Sequence, residues 1–429
     1  MDAHRVTRPL AGLVGLLVLV IPGVVHAQAA EDQEGSSQQA PTDWPAEISR
    51  LRQQMYERPG HALTRQQLAT AYNNYGVGLG EQGQWELAIQ QLQEAIALDE
   101  TSEVYRNNLS AVYLNQAQDA STRHQVNVAL EAVNRAITIN PNSAQAYVLL
   151  GQIEYGRQKL KEAKTAWQRA FDLDPAQPGL AEQLAQVTEE LPIESKFERV
   201  SQAYFDIRYE EQIERPVGFD IRDALLEARR SVGADFAYWP RHKVIVLIYG
   251  ADSFRALRQE TPEWAAGQFD GKIRVPLPSA QLNQAVVKQI LYHEYTHALI
   301  YDLTNGKCPT WLNEGLAEYE GRTQYPGTLT QLQSAVDAQR WTPWQELSDH
   351  FSPQRSREVV SSAYEQSYSL AAYLIGRYGW WRIRKLLKAI ADGQPWDAAL
   401  AEILHLKLAR LEADWRRWLP GFLAGAAPR

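Results

Sequence analysis

Residues 283–319 read NQAVVKQILYHEYTHALIYDLTNGKCPTWLNEGLAEY. Apolar residues recur at helical spacing over 283–303 and again after Pro309, and Asn305-Gly306 between the two runs is a helix-stopping pair. The segment therefore reads as a helical hairpin. On its first helix His293 and His297 are four apart, so both imidazoles leave one face about one turn from each other and can share one Zn²⁺. Glu294 lies roughly 100° round the helix. That is too far to ligate comfortably, but it is beside the position where a general base takes a proton from water. Glu314 follows His297 after 16 intervening residues, and a hairpin of this length can return its carboxylate to the two imidazoles. Two His and one Glu leave a fourth tetrahedral position free, which marks a catalytic rather than a structural zinc site. Glu318, one turn later on the same face, either fixes the tautomer of His293 or is a solvated helix charge.

Around this hairpin the chain changes character along its length. Upstream, residues 204–209 (YFDIRY) and 269–277 (FDGKIRVPL) alternate like strands, and residues 243–249 (KVIVLIY) form a continuous apolar run suited to a buried strand. Residues 220–232 read as a helix, and everything after Leu282 reads helical. Strands first and helices afterwards make an α+β domain over 192–429. Five tryptophans, Trp380, Trp381, Trp396, Trp415 and Trp418, fall on apolar-periodic helices and are expected in the core rather than on a ligand platform.

Further upstream three segments end alike, at Ala95-Ile96-Ala97-Leu98-Asp99, Ala136-Ile137-Thr138-Ile139-Asn140-Pro141 and Ala170-Phe171-Asp172-Leu173-Asp174-Pro175. The last two alanines are 34 apart and the first two 41, which suggests seven inserted residues near 118–127. Gly76, Ala88, Leu92 and Ala95, and again Gly151, Ala163, Trp167 and Ala170, supply the small and bulky positions that closely packed helix pairs need. Residues 65–175 thus resemble tetratricopeptide repeats, and residues 178–191 suit a capping helix. The domain expected over 45–191 is an α-solenoid.

The amino terminus has a weakly basic start (His4, Arg5, Arg8), an apolar run over 10–25 and small residues at Val25-His26-Ala27. Residues 1–27 read as a signal peptide cleaved after Ala27, and 28–44 as a flexible tether. Localisation is then periplasmic or secreted, with membrane attachment only if the signal stays uncleaved. The 429-residue chain carries a formal net charge of −8, which argues against a nucleic-acid partner. Its single cysteine, Cys308, excludes an intramolecular disulfide framework or a Cys-cluster metal site. His242, His350 and His405 read as ordinary histidines.

HEYTH at 293–297 and WLNEGLAEY at 311–319 together resemble the gluzincin metallopeptidases, most of all their peptidase MA-like group and more distantly the aminopeptidase N and thermolysin families. The resemblance covers about residues 200–390. It implies His293, His297 and Glu314 as ligands of one zinc per chain, Glu294 as general base, and Glu318 in the place of an Asp that orients a ligand His. It also implies that 269–277 is the edge strand beside the cleft, where an extended peptide adds as a further strand. In aminopeptidase N-like enzymes a Tyr opening a later helix steadies the oxyanion. In residues 363–374 (AYEQSYSLAAYL) Tyr364 aligns with it, and Tyr368 is the alternative. The Gly-x-Met-Glu-Asn segment that binds a free α-amino group is missing, so endopeptidase and aminopeptidase readings both stand. The expected function is peptide hydrolysis by zinc-activated water in an exported enzyme, with the repeats recruiting a protein substrate or an envelope partner. The competing reading is a periplasmic adaptor or chaperone with a weak or silent zinc domain.

Overall fold

The computed structural model describes residues 43–213, 215–257, 268–277, 283–352 and 355–425. The signal expected at 1–27 and the tether up to Thr42 lie outside the described residues; the tether read as ending at 44 is cut short by Asp43 and Trp44, which cap and open the first helix. None of the described helices is long and apolar enough to cross a membrane. The chain divides into two units between Leu191 and Pro192.

The first unit is helical throughout. Its helices are α1 (Trp44–Glu57), α2 (Ala62–Glu81), α3 (Trp85–Leu98), α4 (Glu103–Thr122), α5 (Val126–Ile139), α6 (Ala144–Gly156), α7 (Leu160–Leu173) and α8 (Leu180–Glu194), the last running across the boundary. α2–α3, α4–α5 and α6–α7 are helical hairpins of one design. In each, the turn places one residue in the left-handed region: Gly83, His124 or Gln158. The next amide then donates back into the last turn of the preceding helix: Gln84 to Leu79, Gln125 to Ala120 and Lys159 to Glu154, at 2.8–2.9 Å. Small residues sit at the crossings: Ala88, Ala129 and Ala163 are fully buried. The expected insertion near 118–127 is corrected by this geometry, because the α4–α5 turn matches the other two. The extra seven residues lengthen the helix instead: α4 and α2 have 20 residues each and α6 has 13. α8 closes the stack with Leu180 and Val187 against Val148 and Trp167, and buried Glu190 accepts from Tyr155 Oη at 2.8 Å.

The second unit begins with β1 (Glu198–Ser201) and β2 (Phe205–Tyr209), then α9 (Arg215–Phe236), β3 (Val244–Gly250), α10 (Ala251–Leu257), β4 (Gln268–Phe269) and β5 (Ile273–Leu277). The helices follow: α11 (Gln284–Thr304), α12 (Thr310–Arg322), α13 (Thr330–Asp337), α14 (Arg357–Tyr378), α15 (Trp380–Ala391), α16 (Trp396–Leu404) and α17 (Leu408–Leu423), with a 3-10 turn at Leu347–Phe351. The sheet order is β1-β2-β3-β5-β4. β2, β3 and β5 run parallel, and β1 and β4 are antiparallel to their neighbours. The stretch 269–277 is therefore not one edge strand. Its turn at 270–272 folds it into a hairpin, with two-residue β4 outside and β5 inside against β3. Beyond Arg274 the outer side of β5 has no partner strand among the described residues.

One face of the sheet builds the core. Phe205, Ile207, Val246, Ile248, Ile273 and Val275 pack with Leu225 of α9 and Leu291, Tyr295 and Leu299 of α11. α11 is thus held between the sheet and the later helices. Trp415 is buried, and Trp380, Trp396 and Trp418 pack against the same core. Trp381 is the exception: it is 48% exposed, with Arg382 and Lys385 over its ring.

Candidate metal centre

α11 starts where Asn283 accepts from the Ala285 amide at 3.0 Å, and it ends at Asn305 in the left-handed conformation with Gly306 following. Pro309 caps α12. The return of α12 is tight because it also packs on α14. A Cβ at Gly315 would lie 2.4 Å from the Ser367 carbonyl oxygen, a separation no side chain tolerates. Glycine after Glu314 is what lets the ligand-bearing turn of α12 lie against α14.

This packing brings the expected residues together. His293 Nε2 and His297 Nε2 are 3.0 Å apart, and Glu314 Oε2 is 3.5 Å from the first and 3.3 Å from the second. The other ring nitrogens face outward. His293 Nδ1 lies 3.2 Å from Glu318 Oε1, and His297 Nδ1 3.0 Å from Asn313 Oδ1. A carboxylate and an amide oxygen are acceptors, so each Nδ1 carries the proton and donates. In the neutral rings both Nε2 lone pairs then point inward at a carboxylate oxygen. Glu314 Oε2 is buried and accepts no hydrogen bond. With the rings neutral, three acceptors converge with no donor among them, an arrangement that a metal cation satisfies. Ligands about 2.0–2.1 Å from a tetrahedral zinc are about 3.3 Å from each other, the spacing found here. The residues present therefore fit Zn²⁺.

The same crowding of acceptors draws positive charge, in the form of protons on the rings where no metal competes for them. Burial opposes charge on His293, but Glu314 and Glu318 outweigh it and push the imidazole well above the usual histidine range. Burial likewise opposes charge on His297, and Glu314 overrides it, raising that ring too. Burial would raise Glu314, yet the two His push it down to about 2. The cluster concentrates negative potential on the point where the three atoms meet. Glu294 differs. It is 4% exposed, its Oε2 has no partner, and burial raises its carboxyl above the usual range against the pull of both His.

Glu318 is bound at both oxygens, Oε1 to His293 and Oε2 to Arg322 Nε at 2.8 Å, so it is not a solvated charge. Tyr364 and Tyr368 separate clearly. The Tyr364 ring lies 6.4 Å from the His293 ring and packs edge-on against Phe351. Burial, with the charges of Glu314, Glu318 and Glu294, pushes its hydroxyl well up, so it stays a donor. Tyr368 instead has its ring under the Arg322 guanidinium, beside Tyr319 and Phe422.

Residues 233–421 match the family model of the Peptidase MA superfamily. The match runs from the last turn of α9 through α16 and most of α17, with the whole metal centre inside it, and it supports a gluzincin-like peptidase domain. Peptidase MA proteins are generally zinc-dependent, in keeping with the donor set. No curated protein matches the chain.

One residue of the centre went unread in the sequence. Asn313 stands next to Glu314, and its helical angle gives no hint that its amide meets His297. Only the crossing of α11 and α12 makes that contact. Cys308 is a partly buried thiol that burial pushes well up, in keeping with its place outside the ligand set.

Proposed function

We propose that this chain is an exported zinc metallopeptidase that hydrolyses peptide bonds in a protein substrate. The observation that carries the reading is the meeting of His293 Nε2, His297 Nε2 and Glu314 Oε2 within 3.5 Å of one another, beside the buried Glu294, whose Oε2 has no partner. Zinc, when bound, supplies Lewis acidity, lowering the pKa of a water and polarising a carbonyl.

The chain's own residues do the rest. Glu294, raised by burial toward the working pH of a general base, takes a proton from the attacking water and delivers it to the leaving amine. Tyr364 keeps its proton and donates a hydrogen bond to the carbonyl oxygen as charge builds there. Glu318 and Asn313 hold the two imidazoles in the tautomer that presents Nε2. The outer side of β5 at residues 275–277, which has no partner strand among the described residues, offers backbone groups to an extended peptide. Export rests on the apolar run over residues 10–25. The helical hairpins of the first unit, read as tetratricopeptide repeats, recruit the protein substrate or an envelope partner. Their removal lowers cleavage of that substrate but not of a short peptide.

The test of the catalytic reading is Glu294→Gln in the full chain. It keeps the metal and the fold and loses about 10²-fold or more of turnover. A variant that cleaves at the wild-type rate would overturn the mechanism.

A further inference from the structure

Beyond the ligands and the carboxylate that orients His293, one more side chain is built into the centre. Arg322 ends α12 and is only 11% exposed at its side chain, close to the value for Glu318. Its Nε donates to Glu318 Oε2 at 2.8 Å, on the carboxylate whose other oxygen takes the His293 Nδ1 proton. Its Nη1 donates to the Pro326 carbonyl at 2.5 Å, and its Cζ lies 4.8 Å over the Tyr368 ring. Three contacts in three directions fix a side chain that on an open helix end would be mobile. The Pro326 carbonyl reaches it because Gly327 turns the chain with φ +62°, and a Cβ there would sit 3.3 Å from the guanidinium.

The contacts form a series: His293 to Glu318, Glu318 to Arg322, and Arg322 to both the 323–327 turn and α14, one turn past Tyr364. A carboxylate held only by an imidazole N–H can swing away. One pinned on its other oxygen by a fixed guanidinium cannot, and the imidazole it orients is held with it. From this geometry we infer that Arg322 is a positioning residue for the metal centre, setting zinc affinity through Glu318 rather than by contact with metal or substrate. The inference rests on the zinc reading above.

The test is zinc affinity by chelator competition on the full-length protein, with the fold checked by circular dichroism. Arg322→Ala is expected to weaken zinc binding about tenfold or more, within the 10–100-fold range for groups that orient a metal-ligating His. In a Glu318→Ala background the same change is expected to add less than twofold, because its route is already cut. Arg322→Lys, which keeps the cation beside Glu318, is expected to recover most of the lost affinity. Should Arg322→Ala fail to fold, Arg322→Gln, which keeps much of the stem without the charge, and its combination with Glu318→Ala carry the same comparison. Wild-type affinity in Arg322→Ala, or full additivity with Glu318→Ala, would overturn the role of Arg322 and leave the zinc site standing. A wild-type protein that binds no zinc would overturn the metal reading and this inference together.

Discussion

His297 Nδ1 lies 3.0 Å from Asn313 Oδ1, so the residue immediately before one ligand orients another. Glu314 and its neighbour thus both bear on the candidate metal position from a single turn of α12. Asn313→Ala leaves His297 free to rotate or change tautomer. Zinc affinity is expected to fall about 10–100-fold with the fold intact, measured by chelator competition. Asn313→Asp, which restores an acceptor, is expected to bind close to wild type. Equal affinity of the Ala variant and wild type would show that the contact does not orient the ring.

Metal content itself is the plainest readout. Elemental analysis of the purified chain is expected to give one zinc per chain, and His293→Ala or His297→Ala to lose it. A double-His variant with the wild-type zinc content would remove the centre from consideration.

Tyr364 and Tyr368 are one turn apart with different surroundings. Tyr364→Phe is expected to lower kcat by about 10–10³-fold with little change in KM, since its hydroxyl meets charge that appears only during reaction. Tyr368→Phe keeps the ring under Arg322 and is expected to stay within about twofold of wild type. Reversed effects would assign the oxyanion donor to Tyr368.

Away from the three acceptor atoms, Glu320 on α12 lies near the Asp235 carboxyl of α9, and its Oε1 is buried without a partner. Burial, with the Asp235 carboxyl, pushes Glu320 from its ordinary 4.5 up to about 8. The folded state therefore holds a proton that the unfolded chain releases above pH 4.5, and stability falls as pH rises from there through about 8. Glu320→Gln mimics the protonated acid. It is expected to unfold about 2–4 °C or more above wild type at pH 8.5, with the gap closing toward pH 4.5, in thermal melts across that range. A constant gap would show that Glu320 does not carry the proton.

Gly315→Ala tests the helix crossing. Overpacking against the Ser367 carbonyl is expected to cost about 1–3 kcal/mol, seen as a lower Tm, with weaker zinc binding as α12 backs away. A variant as stable as wild type would mean that α12 and α14 approach less closely.

The contrast between what the sequence discloses and what it hides follows from the range of the forces. α11 and α12 are legible because helical spacing, an Asn-Gly stop and a proline start are all local; HEYTH places His293, Glu294 and His297 by helical geometry alone, and the length of the hairpin allows Glu314 to return to them. The roles of Asn313 and Arg322 are not legible, since each depends on a crossing between elements. The β4–β5 hairpin is hidden for a related reason. Alternation over 269–277 is compatible with one strand, and only pairing with β3 shows where the turn falls. The longer repeat shows in the spacing of Ala95 and Ala136, but its location does not, because His124 adopts the left-handed turn that a glycine would have signalled.

The contact of Gly315 with the Ser367 carbonyl leaves no sliding room between α12 and α14. Glu314 and Tyr364, one on each helix, therefore travel as parts of one rigid body. If the sheet margin lines the cleft, as the family resemblance implies, fitting to substrates of different bulk would fall there, where β4 is two residues long and β5 has no partner strand beyond Arg274 among the described residues. Selectivity in such an enzyme would evolve by remodelling the sheet margin, while the helical wall stays fixed.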